Sequence, residues 1–556
     1  MKLLSLLLVI LLSARAATAQ AAKSAPPPKK EECSIAGMVV KMASSEALRK
    51  AQVRLQSLED PTHVISTVTD AGGRFQLQGL APGRYNLTVS RVGFVMQTYG
   101  QRKADAPGAA LTLRSGQNMK DLLFRLIPSA VIAGRILDED GEPRPGATVS
   151  ALREVYSEGK RSLSTSTTVE TNDRGEYRLF GLPPGRYFIS AVNAAWDSLA
   201  RSEEVEDRDV HQQGYAKMYY PGTPDATQAA SIAIQAGEEI PSIEMLLRQV
   251  PVYRIRGHVY NQITHKPGTA TNILLTSRGS RLEWESRPQV LVQKQDASFE
   301  IPDVLPGSYV VTALWFDEGR TYASKTPVDV GHADVEGITV TIAPGVSISG
   351  RIIWEGQPSL DHDELTVGAS PADFSFAFWD DARVTEGNSF TLKNIGEGTY
   401  RAEVAGQSKD CYVRDVQYGG ASALEEGFTV GRGTPAMLEV TISSHGARVQ
   451  GTVVDADGLP AVGVWVALVP DRARRTQYRL YKTQTTDQYG HFDLRGIAPG
   501  EYKLFSWEEA ESDAWQDPEF LKAFEDKGEK ISVPEGYTKS VTLVAIQTVS
   551  SEPQKR

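Results

Sequence analysis

The side chains that could support catalysis are few and poorly grouped. A catalytic zinc ion needs three protein ligands, and none of the eight histidines begins the His-x-x-Glu pair that commonly supplies two of them. His362 lies among three acidic residues at positions 361–364, but adjacent residues on a strand point to opposite faces, which favours a solvated loop. The sequence around Ser347 lacks the Gly-x-Ser-x-Gly spacing of a nucleophile elbow. We therefore predict no catalytic residue, no metal site and no enzymatic activity.

Two further motifs resemble cofactor or ion sites. The run from Gly431 to Ala436 is one residue from a dinucleotide-binding fingerprint, but it precedes strand-like rather than helical sequence. Asp138–Gly141 and Asp455–Gly458 resemble the start of calcium loops, but valine stands where such a loop has its bidentate glutamate. We interpret these two segments as hairpin turns and predict no cofactor.

Aromatic residues that face water are the remaining lead for a ligand. Sugar rings bind by laying their C–H faces on Trp or Tyr, while carboxylates and amides take the hydroxyl groups. Trp379 is followed directly by Asp380 and Asp381, and Tyr219 and Tyr220 precede a Pro-Gly turn. These five residues are the candidate ligand-binding residues. The alternative is that they are surface or interface residues without a ligand.

Charge and cysteine content exclude several classes of protein. The chain of 556 residues has 69 acidic and 59 basic side chains, which gives a formal net charge of −10 at pH 7. An acidic chain without a basic run lacks the electrostatic attraction that nucleic-acid binding requires, so no nucleic-acid partner is predicted. The two cysteines, Cys33 and Cys411, exclude a disulfide-dense scaffold. They could pair if the chain folds back, or remain as two buried thiols.

The first 19 residues have the pattern of a signal peptide. Lys2 provides a positive charge, Leu3–Leu12 is an apolar run, and Ala17-Thr18-Ala19 has the small-x-small cleavage pattern. The apolar run is shorter than the roughly 20 residues that a bilayer span takes, and no second run follows. We predict an exported protein, periplasmic or extracellular, with no transmembrane span. Residues 20–32 are a predicted flexible leader, and 549–556 a tail.

One block of sequence recurs five times along the chain. Its first copy runs from Asp70 to Tyr85 and combines alternating apolar and polar residues, a Pro-Gly pair and a final tyrosine. The alternation predicts strands with one buried face, and Pro-Gly predicts a type II turn with a positive φ at the glycine. The tyrosine hydroxyl is predicted to bond to the backbone at this corner. Gly83→Ala is therefore expected to cost about 1 kcal/mol or more. The five predicted turn glycines are Gly83, Gly185, Gly307, Gly398 and Gly500.

A glycine also recurs ahead of each block, inside a strand-like segment. Its five positions are Gly37, Gly134, Gly257, Gly350 and Gly451. The middle of the block holds a third glycine in three copies, while Asp303 and Asn394 replace it in the third and fourth copies. Each repeat therefore spans about a hundred residues, which is the size of an autonomously folding domain.

The repeated frame, Gly-x-Val followed by Asp-x-x-Gly-x-Phe-x-Leu-x-Gly-Leu-x-Pro-Gly-x-Tyr, resembles the carboxypeptidase regulatory-like domain. That family has a transthyretin-like (prealbumin-like) β-sandwich, is grouped with a carbohydrate-binding-like fold, and often occurs in tandem in secreted bacterial proteins. The resemblance implies an all-β chain of five tandem antiparallel, Greek-key-like β-sandwiches with a non-catalytic role. The predicted units are sandwich 1 (33–127), sandwich 2 (128–250), sandwich 3 (251–345), sandwich 4 (346–445) and sandwich 5 (446–548).

The linkers between these units are short, so the sandwiches are predicted to form a stiff or gently bent rod. One helix is predicted in sandwich 5, beginning at the N-cap Asp517 and ending before Gly528. Trp465, Phe505 and Trp507 fall on the outer face of this sandwich in the repeat register. The helix is predicted to cover this aromatic face with its own apolar residues, Phe520, Leu521 and Phe524.

Two functions remain from the sequence. The first is a non-catalytic extracytoplasmic binding protein whose ligand is carbohydrate, as implied by the resemblance and by the aromatic candidates. The second is a structural or adhesive spacer that binds proteins of the cell envelope through strand edges or loops. A hydrolase is the least favoured function, because the sequence lacks the residues to run one.

Overall fold

The computed structural model describes residues 32–101, 103–104, 106–193, 213–278, 289–317, 320–357, 365–372, 381–431 and 433–547. Three of the residues discussed above, His362, Trp379 and Asp380, lie outside these ranges. The predicted signal peptide, nearly all of the predicted leader and the predicted tail lie outside them as well.

Sandwiches 1 and 2 contain the first eighteen strands of the chain. In sandwich 1 they are β1 (Cys33–Lys41), β2 (Gln52–Ser57), β3 (Val64–Val68), β4 (Arg74–Leu80), β5 (Gly83–Ser90), β6 (Gln97–Thr98), β7 (Leu111–Leu113) and β8 (Asn118–Leu126). In sandwich 2 they are β9 (Ala130–Leu137), β10 (Ala147–Ser157), β11 (Lys160–Glu170), β12 (Glu176–Leu182), β13 (Gly185–Asn193), β14 (Gln213–Tyr215), β15 (Met218–Tyr219), β16 (Ile232–Ile234), β17 (Glu239–Leu246) and β18 (Gln249–Pro251).

The other three sandwiches continue the series. Sandwich 3 contains β19 (Tyr253–Asn261), β20 (Lys266–Pro267), β21 (Thr271–Ser277), β22 (Gln289–Val292), β23 (Ser298–Val304), β24 (Gly307–Asp317), β25 (Arg320–Val330) and β26 (Val335–Ile342). Sandwich 4 contains β27 (Val346–Glu355), β28 (Thr366–Pro371), β29 (Asp381–Arg383), β30 (Ser389–Ile395), β31 (Gly398–Ala405), β32 (Tyr412–Tyr418), β33 (Ala421–Ser422), β34 (Phe428–Val430) and β35 (Leu438–Ser443). Sandwich 5 contains β36 (Ala447–Val454), β37 (Trp465–Pro470), β38 (Lys482–Thr485), β39 (His491–Ile497), β40 (Gly500–Trp507), β41 (Glu529–Val533), β42 (Thr538–Val544) and the helix α1 (Pro518–Lys522).

The five groups of strands share a common frame of two sheets, to which sandwich 2 adds the pair β14-β18 and sandwich 4 adds β32 and β33, so the all-β prediction is confirmed. In sandwich 5, for example, one sheet has the order β39-β36-β42 and the other has the order β38-β37-β40-β41. Apolar side chains from the two sheets meet between them and form a separate buried cluster in each group. Each core therefore follows from the alternation of apolar and polar residues along its own strands.

One strand pair in each group is parallel, which the prediction of antiparallel sandwiches did not include. The first strand pairs with the last, as β1 does with β8 and β36 with β42. The other strand ladders in the described part of the chain are antiparallel. The first strand of each group is thus hydrogen-bonded on both sides, in the middle of its sheet.

The glycine that recurs in each first strand is explained by this central position. A Cβ added at Gly451 would lie 1.9 Å from the carbonyl oxygen of Val541 on the parallel neighbour. At Gly37 the added carbon would lie 2.2 Å from the Leu122 oxygen and 2.8 Å from the ring of Phe75. The recurring aromatic residue packs across the bare backbone, so glycine and aromatic recur together.

The positive φ predicted at the corner glycine occurs in three of the five copies. Gly185, Gly398 and Gly500 have φ of 154, 154 and 151°, which L residues rarely adopt but which is far from the roughly +80° of a type II turn, and Gly83 and Gly307 do not have a positive φ. The left-handed helical conformation is found at the middle position of the block in all five copies. That position has φ of 68, 77, 56, 58 and 61° at Gly79, Gly181, Asp303, Asn394 and Gly496. Asp and Asn tolerate this conformation better than other side chains do, which explains why they replace glycine there.

The tyrosine that ends each block bonds to the backbone, as predicted. Its hydroxyl donates to the carbonyl of the residue four positions earlier, at 2.8 Å for Tyr85 and Ala81. The other four copies, at Tyr187, Tyr309, Tyr400 and Tyr502, donate over 2.8, 2.9, 3.1 and 2.8 Å. The bond holds the corner between the two sheets closed while the ring stays against the core.

Sandwich 5 carries a second apolar cluster on its outer face, and the predicted helix covers it. Asp517 caps α1 by accepting the backbone N–H of Glu519 at 2.9 Å. Trp507 is completely buried, stacks on Phe505 with ring centroids 5.0 Å apart, and packs against Phe520 of the helix at 5.6 Å. The aromatic face is therefore a core and is closed to ligands.

The prediction of a rod is wrong, because sandwich 5 contacts sandwich 1 as well as its neighbour in sequence. Gln488 of sandwich 5 exchanges two hydrogen bonds with the backbone of Thr112 in sandwich 1, at 3.1 and 2.7 Å. Arg161 of sandwich 2 donates to Asp517 of sandwich 5 at 3.1 Å. Linker length limits only neighbouring units, so these contacts between distant units were outside what the linkers could predict.

The remaining local predictions concern turns and thiols. Gly141 and Gly458 have φ of 79 and 78°, and Asp138 and Asp455 accept the backbone N–H groups of their own turns, as hairpin turns require. Cys33 and Cys411 are both buried, and they form no disulfide bond with each other. The two segments are turns, and the two cysteines are separate thiols.

Candidate binding cleft at the junction of three sandwiches

The tyrosines proposed from the sequence as sugar platforms are not on the surface. Tyr219 lies on β15 and is only 2% exposed. Burial raises the pKa of its hydroxyl to about 12. Tyr220 is partly buried and packs against the core of sandwich 2. The ring of Tyr219 offers no free face to a ligand at the surface, and part of the ring of Tyr220 is taken up by packing on the core.

The other three candidates are Trp379, Asp380 and Asp381. Asp381 is described and begins β29 with an exposed side chain. Trp379 and Asp380 lie outside the described residues. The three described candidates, Tyr219, Tyr220 and Asp381, do not line either of the two clefts described below.

A cleft of about 530 Å³ opens where sandwiches 1, 4 and 5 meet. This volume falls within the range of small-molecule sites in proteins, about 300–1,000 Å³. We call it the junction cleft. Its lining residues are Arg84, Lys409, Lys482, Thr483, Gln484, Asp493, Leu494 and Arg495.

Three different sandwiches position these side chains. Lys482, Thr483 and Gln484 lie on β38, at the edge of sandwich 5, and Asp493 to Arg495 lie on β39 of the opposite sheet. Gln484 spans the gap between the two sheets by accepting the backbone N–H of Asp493 at 2.8 Å. Arg84 is contributed by β5 of sandwich 1, and Lys409 by the segment between β31 and β32 of sandwich 4.

Contacts between units hold the two outer walls in place. Arg84 pairs in register with Thr112, the residue whose backbone is bonded by Gln488 of sandwich 5. Beside it, the guanidinium of Arg114 lies 5.3 Å from the ring centroid of Tyr489. On the other wall, Arg495 of sandwich 5 forms an ion pair with Asp410 of sandwich 4 at 3.6 Å.

The junction cleft is locally positive in an acidic protein. Four of its lining residues are cations and one, Asp493, is an anion. Burial alone would raise the pKa of Asp493, but hydrogen bonds from Arg448 and Arg495 outweigh it and lower the pKa. Asp493 is therefore ionised and already engaged, at 2.6 Å from Arg448 and 2.7 Å from Arg495.

A smaller cleft of about 210 Å³ lies between sandwiches 4 and 5 and differs in its charge balance. It is lined by three arginines, each of which is paired with a carboxylate. Arg474 donates to Asp471 at 2.6 Å, Arg479 pairs with Glu425, and Arg414 pairs with Glu355. These arginines are satisfied by the protein, so this cleft has no spare charge for a ligand.

The arrangement in the junction cleft suits binding rather than bond-breaking. Its neutral polar groups and cations are donors, with no histidine or serine beside an acid among the lining residues. The described residues contain no group of three or more His, Cys, Asp or Glu placed to hold a metal ion. Among the described helices, none is long and apolar enough to cross a membrane.

Sequence reasoning missed the junction cleft because its residues come from units far apart in the chain. One local signal was available at β38. Thr69 and Thr486 occupy the same place in sandwiches 1 and 5, since each accepts a backbone N–H at the start of the second strand. Four residues before each lie Ile65 and Lys482. This position holds isoleucine in sandwich 1 and lysine in sandwich 5, and the change from an apolar to a charged residue indicated a functional role.

Solved structures similar to this chain are distant from it. The Bacillus anthracis TIE protein is 13% identical, with 56% of this chain and 51% of that protein covered and a TM-score of 0.16, so the chain spans about half of that protein's length. The minor pilin GBS52 of Streptococcus agalactiae is 13% identical, with 40% and 97% covered and a TM-score of 0.21. Two B repeat units of the Staphylococcus aureus collagen binding protein are 13% identical, with 74% and 100% covered and a TM-score of 0.12. TM-scores at this level do not bear on the function of this chain.

Sequence comparisons identify the repeated domain. No curated protein matches the chain significantly. The family model of the carboxypeptidase regulatory-like domain matches residues 34–126 and 131–211, which lie in sandwiches 1 and 2. The two matched segments carry the first two copies of the repeated block, with Tyr85 and Tyr187 at their corners. These two segments of the chain therefore match tandem carboxypeptidase regulatory-like domains, the family that the repeated sequence frame resembles.

Proposed function

We propose that this protein is an exported, non-catalytic binding protein whose ligand is carbohydrate, held in the junction cleft. The observation that carries the proposal is a ligand-sized cleft, about 530 Å³, some of whose polar groups have no partner in the described part of the protein. The amide nitrogen of Gln484 and the side chains of Arg84, Lys409 and Lys482 have no hydrogen-bond partner among the described residues. Saccharides bring many hydroxyl oxygens, which such groups can bind directly or through water.

The fold around the junction cleft supports binding without catalysis. Rigid β-strands carry most of the lining side chains, so the groups are held in place before a ligand arrives. The sequence pattern of residues 1–19 supports export, which would place the cleft where polysaccharides of the envelope or the surroundings are accessible.

Retention on immobilised polysaccharides tests the proposal. The full chain would be passed over a panel of neutral and acidic polysaccharides, together with the Lys409→Trp variant, which places a bulky ring at an exposed lining position of the cleft. The control is Thr542→Trp, at an exposed position on β42 of sandwich 5. We expect retention by the wild type and by Thr542→Trp, and its loss in Lys409→Trp.

A further variant separates this site from the one proposed on sequence grounds. Trp379→Ala would abolish retention, and Lys409→Trp would not, if the ligand lay on the aromatic candidate instead of in the junction cleft. Retention of no polysaccharide by the wild type would contradict carbohydrate binding and favour the structural or adhesive function.

A further inference from the structure

We infer that the junction cleft selects an anionic glycan, with a carboxylate or sulfate group bound by Arg84, Lys409 and Lys482. This inference rests on the proposed carbohydrate function and adds the chemical class of the ligand. The three cations come from sandwiches 1, 4 and 5, so the cleft recognises the anion only when all three units are in place.

The side chains of the three cations are not neutralised by any carboxylate that the structure describes. Among the described residues, none forms an ion pair with the side chain of Arg84, Lys409 or Lys482. The fourth cation of the lining, Arg495, is shared between Asp493 and Asp410. In a chain with net charge −10, three unpaired cations around one cavity are not the result of an excess of basic residues. A bound anion would supply the missing charge.

The position of Lys482 is unfavourable for its positive charge, and a ligand anion would offset this penalty. It lies directly opposite Leu468 of the core of sandwich 5, as Ile65 lies opposite Leu55 in sandwich 1. Burial lowers the pKa of Lys482, and the positive charge of Arg479 lowers it further. An apolar residue fits this register in sandwich 1, so folding alone does not require a lysine. A carboxylate or sulfate beside Lys482 would remove the penalty of its unpaired charge.

The rest of the lining explains why charge must provide the affinity. Leu494 is the single apolar residue among the lining residues, and no aromatic ring is present for a sugar to stack on. Thr483 and Gln484 add neutral hydrogen-bonding groups beside the cations. A sugar acid or sulfated sugar presents an anion and several hydroxyl groups within one residue, which matches this mixture. An acidic peptide presents the anion without the hydroxyl groups.

Calorimetric titration of the purified full chain tests the inference. The ligands would be oligogalacturonate, its methyl ester, an alginate oligomer and a heparin hexasaccharide, with hexaglutamate and inorganic sulfate as non-glycan anions. The methyl ester is the matched neutral control, because it keeps the sugar and removes the charge. The variants would be Lys409→Gln and Lys482→Gln, with Lys530→Gln as the matched control, an exposed lysine on β41 of the same sandwich.

We expect at least one acidic glycan to bind, with salt weakening the affinity. Each cleft variant should weaken it about tenfold, which is the order of one charge-assisted hydrogen bond. Lys530→Gln should bind as the wild type does. For oligogalacturonate the methyl ester should bind at least about tenfold more weakly, for the same reason. Lys409 is exposed, so its variant reports on binding even if Lys482→Gln changes the fold.

Three results would overturn the inference, and each has a different consequence for the proposed carbohydrate binding and for the anion site. Equal binding of ester and acid, unaffected by the two cleft variants, would remove the anionic class and keep carbohydrate binding. A second result is that hexaglutamate or sulfate binds, with the same dependence on Lys409 and Lys482, and that no acidic glycan binds. The cleft would then be an anion site that does not recognise glycans. Binding of none of the ligands would overturn the inference alone, because neutral polysaccharide retention is measured separately.

Discussion

Asp517 joins the helix of sandwich 5 to sandwich 2 through Arg161. One carboxylate oxygen of Asp517 accepts the N–H of Glu519 at 2.9 Å and caps α1, and the other accepts from Arg161 at 3.1 Å. The side chain of Asp517 is 10% exposed, whereas that of Arg161 is 47% exposed. The same residue thus stabilises a local element and a contact between units that are not neighbours in sequence.

The two roles of Asp517 can be separated by substitution. Asp517→Asn keeps a good N-cap and loses the ion pair, so we expect the free energy of unfolding of sandwich 5 to fall by less than about 1 kcal/mol. Asp517→Ala loses both, and we expect a fall of about 1–2 kcal/mol. Denaturant unfolding followed by tryptophan fluorescence measures both values. Equal losses in the two variants would show that the cap contributes nothing.

The recurring strand glycines should be far less tolerant of substitution than the corner glycines. Gly451→Ala places a carbon 1.9 Å from the Val541 oxygen, and we expect sandwich 5 to lose about 3 kcal/mol or more. Gly83→Ala places its carbon 3.6 Å from the nearest atom, a carboxylate oxygen of Glu59, at a residue without a positive φ. Its effect should stay within about 0.5 kcal/mol. Thermal unfolding of the two variants checks this order, and a larger loss from Gly83→Ala would reverse it.

Acid should weaken sandwich 5 through Glu525. Hydrogen bonds from Arg475 and then Lys503 lower the pKa of Glu525 from 4.5 to about 2, in spite of its partial burial. The ionised form is therefore favoured in the folded state. Its stabilisation is fully present above pH 4.5 and is lost as the pH falls towards 2.

Unfolding free energies measured between pH 2 and pH 6 test this assignment. Glu525→Gln should lower stability at pH 6 by about 1–3 kcal/mol, because it removes an acceptor of charged hydrogen bonds. It should also flatten the pH dependence. Asp526→Asn, at the exposed neighbouring position, is the matched control and should retain the wild-type slope. An unchanged slope in Glu525→Gln would assign the acid sensitivity to other groups.

The second aromatic cluster of sandwich 5 should behave as a core. Trp507→Ala removes a fully buried ring that contacts Phe505, Trp515 and Phe520, and we expect a loss of about 3–5 kcal/mol. The near-ultraviolet dichroism of the stacked rings should disappear with it. Tyr537→Ala, at an aromatic residue that is 40% exposed, should stay within about 0.5 kcal/mol. Similar stability of the two variants would mean that the helix does not cover this face.

Local patterns were sufficient to predict strands and corners of each unit, while the sandwich fold was implied by the family resemblance. The alternation around Phe75 and Leu77 corresponds to buried positions of β4, and the hydroxyl of Tyr85 reaches the backbone as expected. The cap at Asp517 was also readable, because capping depends on residues two or three positions away. These features involve neighbours in sequence or one repeated frame, where spacing alone carries the information.

The features that sequence could not provide all depend on distant parts of the chain. The left-handed position moved from Gly83 to Gly79 because the irregular register between β1 and β4 lies at that residue. The sequence predicts a surface position for Tyr219, but this residue is buried on β15. That strand is too short to show an alternation of apolar and polar residues. The junction cleft combines Arg84 with Lys482, and only the contact of sandwich 5 with sandwich 1 brings them to one cavity.

The junction cleft depends on the contact between sandwiches 1 and 5. Zero-length carbodiimide crosslinking is a direct test of this contact. Lys103 of sandwich 1 forms an ion pair with Glu509 of sandwich 5. We expect the reagent to form an amide bond between Lys103 and Glu509 in the monomer fraction at low protein concentration. We expect no such bond in Lys103→Arg. Crosslinks confined to consecutive sandwiches, with none joining sandwich 1 to sandwich 5, would contradict this contact.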